Sequence, residues 1–139
     1  MALTEMATTD VVTAAPDSSV RDLLEQMDDH HVGSVIVTSG DDPAGIVTDR
    51  MVAMALLEAD SIEDMTAEDI MATDLQTIEA DASHFEALER MSSEGIRRLP
   101  IVEDSGELTG IVTLDDMLIV TAAELGYASD VIEQQTRAG

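Results

Sequence analysis

Apolar residues recur along this chain in two rhythms. Val20, Leu23, Leu24 and Met27 fall at the three-and-four spacing of one helix face, and Ala87, Leu88 and Met91 repeat it further on. Between these lie short runs rich in β-branched residues, 32–38 with 45–48 and 99–103 with 108–113, which predict paired strands. The hairpin signals Ser39-Gly40-Asp41-Asp42-Pro43 and Asp104-Ser105-Gly106 separate the members of each pair. A shorter β segment precedes each first helix, at 11–14 and 75–78, and leads into the turns Pro16-Asp17 and Ala80-Asp81. A second helix is predicted to close each half, over 49–59 and 114–125. The connection 60–71 carries Ser61 and Thr66 as N-caps for a short helix.

The two halves are copies. Shifting the chain by 64 lays Asp10, Thr13, Asp17, Ser19, Leu24, Glu25 and Met27 on Asp74, Thr77, Asp81, Ser83, Leu88, Glu89 and Met91. One extra residue in the second loop then lays Gly45-Ile46-Val47-Thr48 on Gly110-Ile111-Val112-Thr113. Each unit is β-α-β-β-α, and the expected organisation is α+β: repeat one over 1–60, repeat two over 61–126 and a C-terminal tail over 127–139. A unit of about 60 residues buries only about 60% of its unfolded surface, so the two are expected to pack sheet to sheet around one shared core. The second helices carry Val52, Met54, Ala55 and Leu57, and Met117, Leu118 and Val120. Faces this apolar suit either a homodimer interface or closure of the intrachain core.

Composition narrows the function. Thirty acidic residues stand against six basic ones, all arginine, for a net charge of −24. That leaves no basic footprint for nucleic acid and disfavours an anionic membrane surface. Phe85 and Tyr127 are the only aromatic residues, so stacking platforms for bases are lacking too. Carboxylates spread along the chain without lysine resemble the surfaces of proteins from salt-in halophilic archaea. There the Debye length falls to about 3 Å in molar salt and self-repulsion is screened. Cysteine is absent, which removes disulfides, thiolate metal sites and a cysteine nucleophile. No membrane span and no signal-peptide pattern is evident, and a cytoplasmic location is expected.

At this point the chain resembles the cystathionine-β-synthase (CBS) domain family. The second copy shows Asp69-Ile70-Met71-Ala72, then Arg98-Leu99-Pro100-Ile101-Val102-Glu103 and Gly110-Ile111-Val112-Thr113-Leu114-Asp115-Asp116. The first shows Met6-Ala7-Thr8, Pro16-Asp17, Met27 and Gly45-Ile46-Val47-Thr48-Asp49-Arg50-Met51. The resemblance implies a tandem pair of CBS repeats related by a pseudo-twofold axis, a non-enzymatic regulatory module with two clefts between its sheets. Such clefts take AMP, ADP, ATP or S-adenosylmethionine. Two pairs commonly form a homodimer, and the module regulates an enzyme, channel or transporter. An adenine nucleotide is therefore the expected regulatory ligand, with no obligatory cofactor, and the regulated protein is expected to be a separate chain.

The candidate site follows residue by residue. Thr113 and Asp116 stand where a strand enters a helix, and the family uses the matching residues for phosphate and the paired ribose hydroxyls. Thr at N-cap with Asp at N3 is equally a capping box that needs no ligand. Arg97 and Arg98 are expected to contact phosphates, or else to pair with acids such as Glu94 or Glu103. Asp74, Gln76, Leu99, Pro100 and Ile111 are expected to edge the adenine pocket. In repeat one, Met51 replaces the ribose-binding acid, and Asp49 sits two residues earlier, about 160° round a helix. A weaker second cleft is therefore expected around Val12, Ser34 and Thr48. One alternative remains open: a constitutive protein–protein scaffold whose ligand sites have decayed.

His30, His31 and His84 have no convergent partners for a metal, and no nucleophile elbow, phosphate loop or catalytic carboxylate pair is present. The charge distribution makes one prediction. The melting temperature should climb steeply between low salt and molar KCl, and a flat profile across that range contradicts the halophilic interpretation.

Overall fold

A computed structural model describes residues 1–138. Its elements run α1 (Leu3–Met6), β1 (Thr13–Ala14), α2 (Val20–His30), β2 (Ser34–Ser39), β3 (Asp42–Thr48) and α3 (Asp49–Ala55). The second half repeats them as α4 (Ala67–Ile70), β4 (Ile78–Glu79), α5 (His84–Glu94), β5 (Arg98–Val102), β6 (Leu108–Thr113) and α6 (Leu114–Ala138). Each half folds one three-stranded sheet, ordered β1-β2-β3 and β4-β5-β6, with the first pair parallel and the second antiparallel.

Local chemistry sets the helix ends. Ser19 and Ser83, equivalent in the repeat, each accept a backbone N–H three residues on, both at 3.1 Å. At the far ends His31 and Gly95, again equivalent, close the helices in the left-handed region with φ of 54° and 67°. Thr66 caps α4 reciprocally with Asp69. Repeat two keeps glycine where the backbone demands it, whereas repeat one holds a strained histidine.

The core is two clusters rather than one. Val20, Leu23, Met27, Val35, Val37, Val47 and Val52 pack in the first half, and Ile78, Ala87, Met91, Leu99, Ile101, Val112 and Met117 in the second. Each cluster is completed by the short helix that precedes the other repeat. Leu3 of α1 is fully buried in the second cluster, while Ala67 of α4 lies in the first beside Ile70 and Met71. The leading segments are thus exchanged. Ile36 and Pro100 are buried yet belong to neither cluster.

Two backbone bridges hold this exchange. Thr8 and Ile111 trade N–H···O bonds of 3.0 and 2.9 Å, and Ala72 and Ile46 trade bonds of 3.0 and 3.1 Å. The crossing is close enough to exclude a side chain beneath it at Gly45 and to crowd one at Gly110. A Cβ on Gly45 would lie 2.8 Å from the Ala72 carbonyl oxygen, and one on Gly110 would lie 3.1 Å from that of Thr8. The linker helix is tied to repeat one as well. The Ala67 and Glu68 N–H groups donate to the Ser18 and Pro16 carbonyls at 2.8 and 2.9 Å. Arg21 pairs with Glu63, and that hydrogen bond holds the Glu63 carboxyl below the usual carboxylate range.

Three expectations need correction. The second helix of repeat one stops at Ala55 rather than residue 59. That of repeat two does not stop at 125, and the residues expected to form a tail are its last turns, running to Ala138. Gly126 does not terminate it because its φ is not positive. The apolar faces of these helices also divide. Val52 and Met117 enter their own cores, while Met54, Leu57 and Leu118 are exposed. Among the described residues no helix is long and apolar enough to cross a membrane.

The crossing generates a graded prediction. Gly45→Ala should lower the unfolding free energy by about 1–3 kcal/mol, the typical cost of overpacking against rigid backbone. Gly110→Ala should cost less. Urea titrations of both variants in molar KCl measure this, and equal stability to the parent chain rules out the steric account.

Candidate functional site

The exchange of leading segments determines which residues meet between the sheets. Residues 72–76, crossing β3 of repeat one, wall a cavity of about 550 Å³ together with the start of α3 and the entry to β5. Residues 8–12, crossing β6 of repeat two, wall a smaller one of about 170 Å³. A third hollow of about 390 Å³ shares Thr8, Asp10, Val11, Val12 and Val32 with the smaller cleft and adds Gln26 and His30.

This divides the expected site differently from the sequence. Asp74, Gln76, Arg97 and Pro100 line the large cleft, and Thr48 of repeat one joins them there. Ile111 and Thr113, expected beside them, line the small cleft with Val12 and Ser34. Arg98 reaches both. Leu99 lines neither; it is fully buried in the second core, because alternate residues of β5 point to opposite faces. The physical reason for the regrouping is the crossing itself: each β segment belongs spatially to the opposite repeat's strand-to-helix corner.

Asp116 takes the capping role. Its Oδ2 accepts the Thr113 N–H at 3.2 Å, and its own N–H donates to Thr113 Oγ1 at 3.1 Å. It is half-buried and is not among the residues lining the large or the small cleft. In repeat one only half of this box exists, the Met51 N–H donating to Thr48 Oγ1 at 3.2 Å.

Two further residues line the large cleft that the sequence had set aside or passed over, Asp49 and Arg50. The rotation argument against Asp49 assumed a site along the side of α3. The cleft instead opens at the helix start, where Thr48, Asp49 and Arg50 reach it and Met51 does not. Asp49 Oδ1 accepts the Arg50 N–H at 2.7 Å, and Gly33 packs against its carboxylate, where a Cβ would lie 3.3 Å from Oδ2.

Charge distinguishes the clefts. The positions occupied by Arg97-Arg98 in repeat two are Gly33-Ser34 in repeat one. The large cleft therefore holds Arg50, Arg97 and Arg98, three of the chain's six arginines, among Asp49, Asp74 and Glu94. Arg97 bonds Asp115 at 3.0 Å, not Glu94 or Glu103, in an exposed pair. Arg98 Nη1 is buried without a hydrogen-bond partner. A buried, unmatched guanidinium nitrogen is costly, and more so in a protein with acids to spare. Among the described residues no group of three or more metal-ligating side chains converges.

Comparisons agree with this architecture. The CBS domain family model matches residues 3–58 and 67–122. An uncharacterized protein of Methanopyrus kandleri is 41% identical over 118 residues, which are 84% of this chain and 60% of that one. The inosine-5'-monophosphate dehydrogenase of Methanocaldococcus jannaschii is 34% identical across 82% of this chain, which spans only 22% of the enzyme. A CBS domain protein of Pyrobaculum aerophilum, solved in complex with AMP, superposes with a TM-score of 0.80 at 21% identity, over 93% of this chain and 99% of that one.

The reciprocal cap yields a prediction. Asp116→Ala should lower stability by roughly 1 kcal/mol, as loss of a helix cap does. Chemical denaturation reads this, and an unchanged midpoint removes Asp116 from the capping role.

Proposed function

The chain belongs to the CBS domain family, and from that premise we propose that it binds an adenosine-containing ligand in its large cleft and passes the signal to a separate protein. The domain is a binding module, not a catalytic one. The observation that carries this proposal is the orphaned Arg98 nitrogen at the wall shared by the clefts. An anion such as a nucleotide phosphate would satisfy it, with Arg50 and Arg97 alongside. The volume of about 550 Å³ lies within the range of small-ligand pockets. Ile46, Leu75 and Pro100 offer apolar walls to a purine, Gln76 a hydrogen-bonding edge, and Thr48 and Asp49 polar groups for a ribose. AMP, the ligand of the Pyrobaculum aerophilum protein, is the first candidate; ADP, ATP and S-adenosylmethionine share the required adenosine.

The regulatory half of the proposal draws on the dehydrogenase relative, in which a similar segment forms part of a much longer enzyme. A ligand shifts the angle between repeats, or between two copies in a homodimer, only by binding one arrangement better than the other. The exposed Met54, Leu57 and Leu118 are the surfaces on which such a homodimer would form, in the cytoplasm. The scaffold alternative has its own support: Asp116 is engaged in a cap and Met51 replaces its counterpart.

Calorimetric titration in molar KCl separates the two. AMP should bind saturably, and Arg98→Gln should weaken it roughly 10- to 100-fold, the value of a charge-assisted hydrogen bond. The absence of heat with AMP, ATP and S-adenosylmethionine alike would leave only the scaffold.

A further inference from the structure

One guanidinium serves two cavities. Arg98 opens β5, and strand alternation sends its neighbour Leu99 into the core while Arg98 faces the space between the sheets. It lines the large cleft and the small one alike. Its equivalent in repeat one is Ser34, which opens β2 and also lines the small cleft. At this repeated position one copy supplies a long cation and the other a short hydroxyl.

Arg98 is also unpaired. The ion pairs among the described residues use Arg21, Arg97 and Arg137. Arg98 enters none of them, and its Nη1 is buried without a hydrogen bond. Yet Asp49, Asp74 and Glu94 line one cleft it reaches and Asp10 lines the other. A buried donor left unmatched with four carboxylates nearby is a cost that a bound anion removes.

The small cleft has its own chemistry. At about 170 Å³ it lies below the range of drug-sized pockets and suits an occupant of a few non-hydrogen atoms. Arg98 is its one cation, and Thr8, Ser34 and Thr113 bring hydroxyls to it. Thr113 Oγ1 already accepts the Asp116 N–H at 3.1 Å, which leaves its own proton free to donate. Asp10 is the exception, a carboxylate beside a site for an anion. An ionised carboxylate only accepts, so the anion it tolerates must itself carry a proton. Hydrogen phosphate does; sulfate at neutral pH does not. The adjoining third hollow adds Gln26 and His30 but no arginine, so it extends the space without extending the charge.

We propose that the small cleft binds inorganic hydrogen phosphate, and that this ion competes for Arg98 with the phosphate of a nucleotide in the large cleft. The competition rests on the nucleotide reading of the large cleft, whereas phosphate binding does not. A guanidinium turned to one cavity is withdrawn from the other, so each ligand weakens the other by the same factor. The chain then responds to nucleotide measured against free phosphate, not to nucleotide alone.

Calorimetry of the full chain in molar KCl tests this, with AMP as the reporter and potassium phosphate or sulfate as the probe. Phosphate should raise the apparent Kd for AMP roughly 5- to 100-fold and then level off, as coupling between separate sites does. Sulfate at equal ionic strength should not. Thr8→Val with Ser34→Val, neither of which lines the large cleft, should bind AMP as the parent chain does and lose the phosphate effect. Asp10→Asn, at an exposed position, should let sulfate act as phosphate does. A Kd that climbs without a plateau, or phosphate sensitivity kept in the double variant, places phosphate in the large cleft and overturns the proposal. AMP binding indifferent to phosphate, or sulfate acting like phosphate on the parent chain, overturns it too, as does sulfate still inert in Asp10→Asn. If AMP does not bind at all, the nucleotide reading falls by itself and melting temperature reads the phosphate site directly. A rise with phosphate larger in the parent chain than in the double variant upholds the site, and equal rises remove it.

Discussion

Four backbone hydrogen bonds, two at Thr8–Ile111 and two at Ala72–Ile46, determine more of this molecule than any side chain does. They bring the segment before each repeat across the last strand of the other, and everything between the sheets follows from that position. The exchanged helices complete the opposite cores, through Leu3 in one direction and Ala67 in the other. The segments that follow become the walls of the two clefts. The crossing leaves no room for a Cβ at Gly45 and little at Gly110. Neither half, cut at the boundary between repeats, would retain the helix that closes its own core.

Most of the fold could be read from the sequence because its signals are local. The Thr66 cap and the glycines at Gly40 and Gly106 in the hairpin turns each act within a few residues, and the repeat of 64 carries the same pattern from one half to the other. The reach of α6 exceeds the expected 114–125 because its helix continues through Gly126, whose φ is not positive. The grouping of site residues was missed for a different reason. Periodicity describes what a segment forms, not which neighbour it lies upon, and gives no reason to part Asp74 and Gln76 from Ile111 and Thr113 of the same repeat. One signal did exist: a glycine in the middle of a strand, at the same position in both copies, marks a close backbone approach.

The two copies have also diverged in informative ways. Repeat two keeps the reciprocal Thr113–Asp116 cap and the left-handed Gly95, where repeat one has the half-cap of Thr48 and Met51 and the strained His31. Repeat two also supplies Arg97 and Arg98, but because of the crossing these face the cleft at the start of α3. The copy with the more regular backbone thus furnishes two of the three cations, while the other furnishes Arg50 and the helix start they face. Asymmetry in sequence becomes asymmetry between cavities, one large and lined by three arginines with three carboxylates, the other small and largely apolar.

Half of the arginines gather round a single hollow in a molecule whose surface is otherwise of one sign. Such a surface draws a sheath of cations from the solvent, held by carboxylates on every side. Around Arg50, Arg97 and Arg98 that sheath thins, because the arginines offset the carboxylates of Asp49, Asp74 and Glu94 beside them. The hollow is then a gap in the ionic coat, where a small anion approaches without first displacing a cation. Access to that mouth then depends on the ionic strength of the solvent as well as on the groups that line it.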